Sequence, residues 1–176
     1  TLDQIADLDL LKRETPENVK LIWNEFHASK QCLSGVMEAK FYSELMARTK
    51  KFPMFILPLP RAGGYEFFLL QTAGHQTYLT PLLEYKTHRQ NARPHLVLTH
   101  YTELAESKGL VLMVGELGDP TRKVLTLAEA QNLVYQMQLF YVTGSEEVRA
   151  LVDTFHADPA AFDYQRVIDA IEKLGV

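Results

Sequence analysis

The chain has 176 residues, 47% of them hydrophobic, with 18 basic and 22 acidic side chains and a net charge of -4. That length suits one domain with a substantial core, so a single domain over residues 1–176 is expected. The acid excess, with no basic run and no interleaved basic and aromatic stripe, excludes a protein that binds mainly by neutralising phosphates, and nucleic acid is not an expected partner.

The lone cysteine, Cys32, has no partner for an internal disulfide or a thiolate metal site, which fits reducing surroundings. No apolar run approaches the roughly 20 residues that span a bilayer, so membrane insertion is not expected. Because the chain starts at Thr1 rather than at a methionine, a targeting segment removed beforehand is presumed.

In chain order, residues 1–30 read as a helical segment. "TPENVKLIWNEF" sets Thr15 at an N-cap and Pro16 at the first helical position. Val19, Ile22, Trp23 and Phe26 then follow at helical spacing and are expected to bury one face. "CLSGVM" reads as a short strand. "EAKFYSELMARTKK" is a second helix, with Phe41, Leu45 and Met46 on one side and Pro53 beyond its end.

From residue 54 the pattern turns to strands: "MFILPL", "YEFFLLQTA", "TYLTPLLEY", "HLVLTHYTEL" and "GLVLMVGEL". Their short or turn-like joins predict an antiparallel meander, since parallel pairing needs long crossovers. Several strands are apolar at consecutive positions, "GLVLMV" most clearly, and require cover on both faces. The C-terminal third supplies helices for it. Thr126 with Glu129 makes a capping-box pattern ahead of Leu133, Met137 and Phe140. Ser145 caps "EEVRALVDTF", Asp158 and Pro159 start a helical turn, and Gly175 ends the last helix. The expected class is α+β: a largely antiparallel sheet of five to six strands with flanking N- and C-terminal helices.

"FPMFILPLPRAGGYEFFLLQ" raises the question of a phosphate loop. Such a loop needs a following helix whose N-terminus faces the anion, and "YEFFLLQTA" reads as a strand. Gly63 and Gly64 therefore shape a turn, and Pro58 and Pro60 stiffen its approach. None of the six histidines forms an i, i+4 helical pair, and no serine sits in a G-x-S-x-G elbow. No catalytic, cofactor-binding or metal-binding residue is assigned. An enzyme or carrier would need a pocket where His100, Glu103, Arg61 or Glu116 converge. A protein-binding module would instead use a rigid turn with aromatic and arginine side chains. Pro58, Pro60, Arg61 and Tyr65 are the expected contact residues.

"PLPRAGGYEFFLLQ", "LTPLLEYKTHRQNARPHLVLTHYTEL", "KGLVLMVGE", "AEAQNLVYQMQLFY" and "LVDTFHADPAAFDYQRVIDAIE" occur in this order. Together, across residues 15–174, they closely resemble the mitochondrial assembly factor family that chaperones the β subunit of the F1 sector of ATP synthase. The resemblance implies a non-enzymatic matrix chaperone without a cofactor. Its expected partner is the free β subunit, held until α subunits arrive, and a monomer is expected.

Overall fold

The computed structural model describes residues 1–118 and 125–176. After a 3-10 turn at Leu2–Gln4 come α1 (Leu8–Arg13), α2 (Pro16–Ala28), β1 (Cys32–Glu38) and α3 (Ala39–Lys51). The middle of the chain holds β2 (Met54–Arg61), β3 (Gly64–Ala73), β4 (Gln76–Pro81), α4 (Leu82–His88), β5 (Leu96–Tyr101), the single turn α5 (Ala105–Lys108) and β6 (Leu110–Leu117). Helices α6 (Leu127–Gln138), α7 (Glu146–Ala157) and α8 (Gln165–Leu174) follow. The fold is α+β, as expected.

The six strands lie in the order β1-β6-β5-β4-β3-β2 and every neighbouring pair is antiparallel. Strands β2 to β6 form the meander read from the sequence, and β1 comes back to pair with β6, Cys32 opposite Glu116. Helix α6 touches both β1 and β2, the two outermost strands. Six strands laid flat would separate those edges by roughly 24 Å, more than the roughly 18 Å length of a 12-residue helix. The sheet is therefore curled, with α6 spanning between its edges.

Strand β6 shows why both faces need cover. Val111 and Met113 belong to one apolar cluster, while Leu110, Leu112 and Val114 belong to another. Alternate side chains of a strand point to opposite faces, so the two clusters flank the sheet. The larger contains Leu45 of α3, Leu133 and Met137 of α6, Phe155 of α7 and Ile171 of α8. At its centre the ring of Phe55 lies 5.2 Å from Phe140, 5.6 Å from Phe155 and 6.3 Å from Phe162. The smaller cluster joins Leu2, Leu11, Val19 and Trp23 to the other face, and the Trp23 indole N–H donates to the Met113 carbonyl at 3.0 Å. On β2, the consecutive residues Phe55, Ile56 and Leu57 are all fully buried, so that edge of the sheet is covered on both sides.

Three sequence expectations are corrected. "TYLTPLLEY" is not one strand: β4 ends at Pro81, and Leu82–His88 turns into α4. Proline has no N–H to continue the ladder, and the four-residue rows of "LLEYKTH" suit a helix. In α2 the buried row is Val19, Trp23 and His27, whereas Ile22 and Phe26 are 43% and 45% exposed. His27 earns its inner place by stacking 4.4 Å from Trp23 and setting Nδ1 2.7 Å from the Trp23 carbonyl oxygen. In α3 the buried row is Tyr42, Leu45 and Thr49, with Phe41 and Met46 at its flanks.

Candidate functional site

The β2–β3 hairpin brings the four expected contact residues to one corner of the molecule. Ala62 and Gly63 form its loop, and Gly63 takes φ +82°, a conformation open to glycine and costly for other residues. Across the ladder Pro60 faces Tyr65, Pro58 faces Phe67 and Arg61 faces Gly64. Pro60 is exposed, Arg61 and Tyr65 are half-buried, and Pro58 is buried. Strand β2 is an outer strand, and the Pro58 carbonyl accepts from the Gln136 amide of α6 at 2.8 Å. A residue's N and C=O share a side of an antiparallel strand, so Pro58 aims its missing N–H outward, where no ladder bond is lost.

Arg61 is built into the molecule. It pairs with Glu66 at 3.0 Å and with Glu129 of α6. The other oxygen of Glu129 accepts from the Thr126 amide at 2.9 Å, while the Glu129 amide donates to the Thr126 hydroxyl at 3.1 Å. One carboxylate thus caps α6 and ties it to the hairpin. The Tyr65 hydroxyl donates to Glu172 of α8 at 2.6 Å, and this hydrogen bond, ahead of burial, raises the phenol pKa.

The residues of the alternative polar pocket do not converge. His100 lies on the face of the larger cluster, buried, with its ring 4.7 Å from Tyr42. Tyr42 in turn sets its hydroxyl 2.6 Å from His75 Nδ1. Loss of solvent around His100 lowers its pKa to about 4, so the ring is neutral at physiological pH. Glu103 instead accepts from the Leu2 amide, beside the smaller cluster. Glu116 shares the side of Leu112 and Val114, and Arg61 stands on the outer strand β2. Among the described residues no group of three or more His, Cys, Asp or Glu is placed to hold a metal ion. Among the same residues no helix is long and apolar enough to cross a membrane.

Sequence reading missed an apolar groove of about 460 Å³ between α1 and α2. Leu11 and Trp23 lie buried beneath it, and Leu10, Ile22 and Phe26 stand exposed along it. A signal was available: with Val19, Leu21, Ile22, Trp23 and Phe26, α2 carries a wider apolar arc than one contact with a sheet can cover.

A family model described as ATP11 protein matches residues 1–168. The chain belongs to the ATP11 protein family. Among relatives of this ATP11 family chain, a Homo sapiens protein named ATP synthase mitochondrial F1 complex assembly factor 1 is 39% identical over 176 residues, covering all of this chain and 53% of that protein. The Mus musculus protein of the same name is 36% identical over the same span. Protein atp11, mitochondrial, of Schizosaccharomyces pombe is 29% identical over 184 residues, covering 98% of this chain and 63% of that protein. The chain spans about half the length of the two mammalian relatives.

Proposed function

We propose that this ATP11 family chain is a non-enzymatic chaperone that binds the unassembled β subunit of mitochondrial F1 in the matrix, acting as a monomer. The observation that carries the reading is the family match over residues 1–168, together with relatives named for F1 complex assembly. The β subunit is the client that the family resemblance of the sequence blocks across residues 15–174 implies. An unassembled ring subunit exposes apolar interface that drives aggregation, and a holder must cover that interface yet yield to the permanent neighbour. The separation of His100, Glu103 and Arg61 favours this reading over a small-molecule enzyme. The hairpin of Pro58, Pro60, Arg61 and Tyr65 is a proposed contact. In it Pro60 supplies exposed surface, and Pro58, Arg61 and Tyr65 are held by Gln136, Glu129 and Glu172.

The test is capture from dissociated F1 on the immobilised chain. Retention of β with little α is expected. Equal retention of both subunits, or of neither, overturns the reading. Light scattering of diluted denatured β subunit adds a second criterion: suppression is expected with or without ATP and with or without EDTA.

A further inference from the structure

We infer that the α1–α2 groove seats an amphipathic helix of the client, with apolar residues facing in and two basic side chains along one border. The inference rests on the chaperone reading and names a second contact, separate from the hairpin, through which it operates. The groove arises from local sequence. Thr15 caps α2 and Pro16 occupies its first turn, while Glu14, with ψ at 157°, breaks α1 from it. Two short helices joined by so tight an extended link turn part of their apolar surface toward a common concavity. Trp23 and Leu11 face the sheet below, which leaves Leu10, Ile22 and Phe26 on the outer side at 56%, 43% and 45% exposure, with the Lys30 ammonium 3.9 Å from the centre of the Phe26 ring.

The occupant follows from what lines the groove. No strand lines it, so it offers no row of unpaired backbone groups to an extended segment. Ile22 and Phe26, one helical turn apart, form a ridge of the kind that packs between the side chains of another helix. The charged lining residues are Asp7 and Glu14, on the α1 border, while the Lys30 ammonium stands over Phe26 on the α2 border. Asp7 and Glu14 mark the two ends of α1, as its N-cap and C-cap, roughly 10 Å apart along the axis. Matching cations on a docked helix stand about seven residues apart, on one side. A second copy is a poor occupant, because a two-fold contact of groove with groove brings the acidic border of one copy against that of the other.

Trp23, the single tryptophan of the chain, lies in the groove lining and reports occupancy by its fluorescence. The probes are overlapping tryptophan-free peptides spanning the β subunit, with the whole β subunit in parallel. Peptides that shift the emission are expected to carry apolar residues at helical spacing and Lys or Arg about seven positions apart. In the full chain, Ile22→Ser with Phe26→Ser is expected to weaken both probes at least about tenfold. Glu14→Gln is expected to weaken them by about threefold and flatten the salt dependence. Leu174→Ser, an exposed apolar change on α8, is expected to alter neither. Circular dichroism confirms that each variant folds. If the wild-type chain captures β and the Ile22/Phe26 double variant captures it equally, the groove is not the site and the chaperone reading stands. If the wild-type chain captures no β, the chaperone reading itself falls, and the groove loses its client with it. Selection of acidic or extended peptides overturns the inference, as does a wild-type dimer in sedimentation that the double variant converts to a monomer.

Discussion

Arg61 and Glu129 join the tip of the β2–β3 hairpin to the first turn of α6, and the same carboxylate completes the cap of that helix. Arg61→Ala removes one partly exposed ion-pair partner and is expected to cost about 1 kcal/mol. Glu129→Ala removes the ion pair and the capping contact together and is expected to cost about 2 kcal/mol. Urea unfolding of both single variants and the double variant checks this. The double variant should fall short of the sum of the singles, because both disturb one network.

Tyr65 separates the hydrogen bond from the aromatic surface. Tyr65→Phe loses only the bond to Glu172 and is expected to keep capture of the β subunit, while Tyr65→Ala is expected to lose several-fold of it. Calorimetric titration of both variants decides the point. Undiminished binding by Tyr65→Ala removes the hairpin from the interface.

His100 predicts a pH dependence. Its folded pKa, about 4, lies below the ordinary value of 6.5, so the unfolded chain binds the extra proton between those limits. Stability therefore falls as pH drops from about 6.5 toward 4 and this contribution levels off below, for a total of up to about 3 kcal/mol. Chemical unfolding at pH 7, 5.5 and 4.5 is compared with His100→Gln. The variant should show the weaker decline, and parallel curves would falsify the assignment.

Gly144 sits where a β-carbon would meet the Leu139 carbonyl oxygen at 2.5 Å and Val148 Cγ1 at 2.9 Å. Its φ of -70° is ordinary, so the constraint is space rather than backbone conformation. Gly144→Ala is expected to lower stability by about 1 to 3 kcal/mol, read as a fall in thermal midpoint.

The two apolar clusters share β6, and Trp23 bonds to its backbone. Residues 1–30 are therefore expected to unfold together with the rest of residues 1–176, as one domain. Trp23 fluorescence and far-ultraviolet circular dichroism should give coincident denaturation curves. An earlier fluorescence transition marks the N-terminal segment as a separate unit.

Local signals were legible in the sequence where a residue acts through its own backbone. Thr15, Thr126 and Ser145 accept the N-cap hydrogen bonds expected of them, and Gly175 ends α8 in the left-handed conformation. Signals that depend on distant partners were harder to read. Ile22 and Phe26 have the apolar character of core residues, but the sheet contacts the row through Val19, Trp23 and His27. Arg61 looked available in a turn because Glu129 lies far along the chain. His100 and Glu103 are close in sequence, yet they sit beside opposite clusters once Glu103 takes the Leu2 amide.

The pairing of the first strand with the last has a consequence for how the chain reaches its fold. The β2–β3 and β3–β4 ladders close over short turns, but the β1–β6 ladder must wait until nearly the whole meander exists. Its long loop carries the larger closure entropy, which places this ladder late in folding. Until then Leu33, Val36 and Met37 lack their β6 partners Gly115, Leu112 and Val111. Before this ladder closes, a newly synthesised chain is therefore expected to expose strand surface of its own, and its folding yield should rise when general holding chaperones are present.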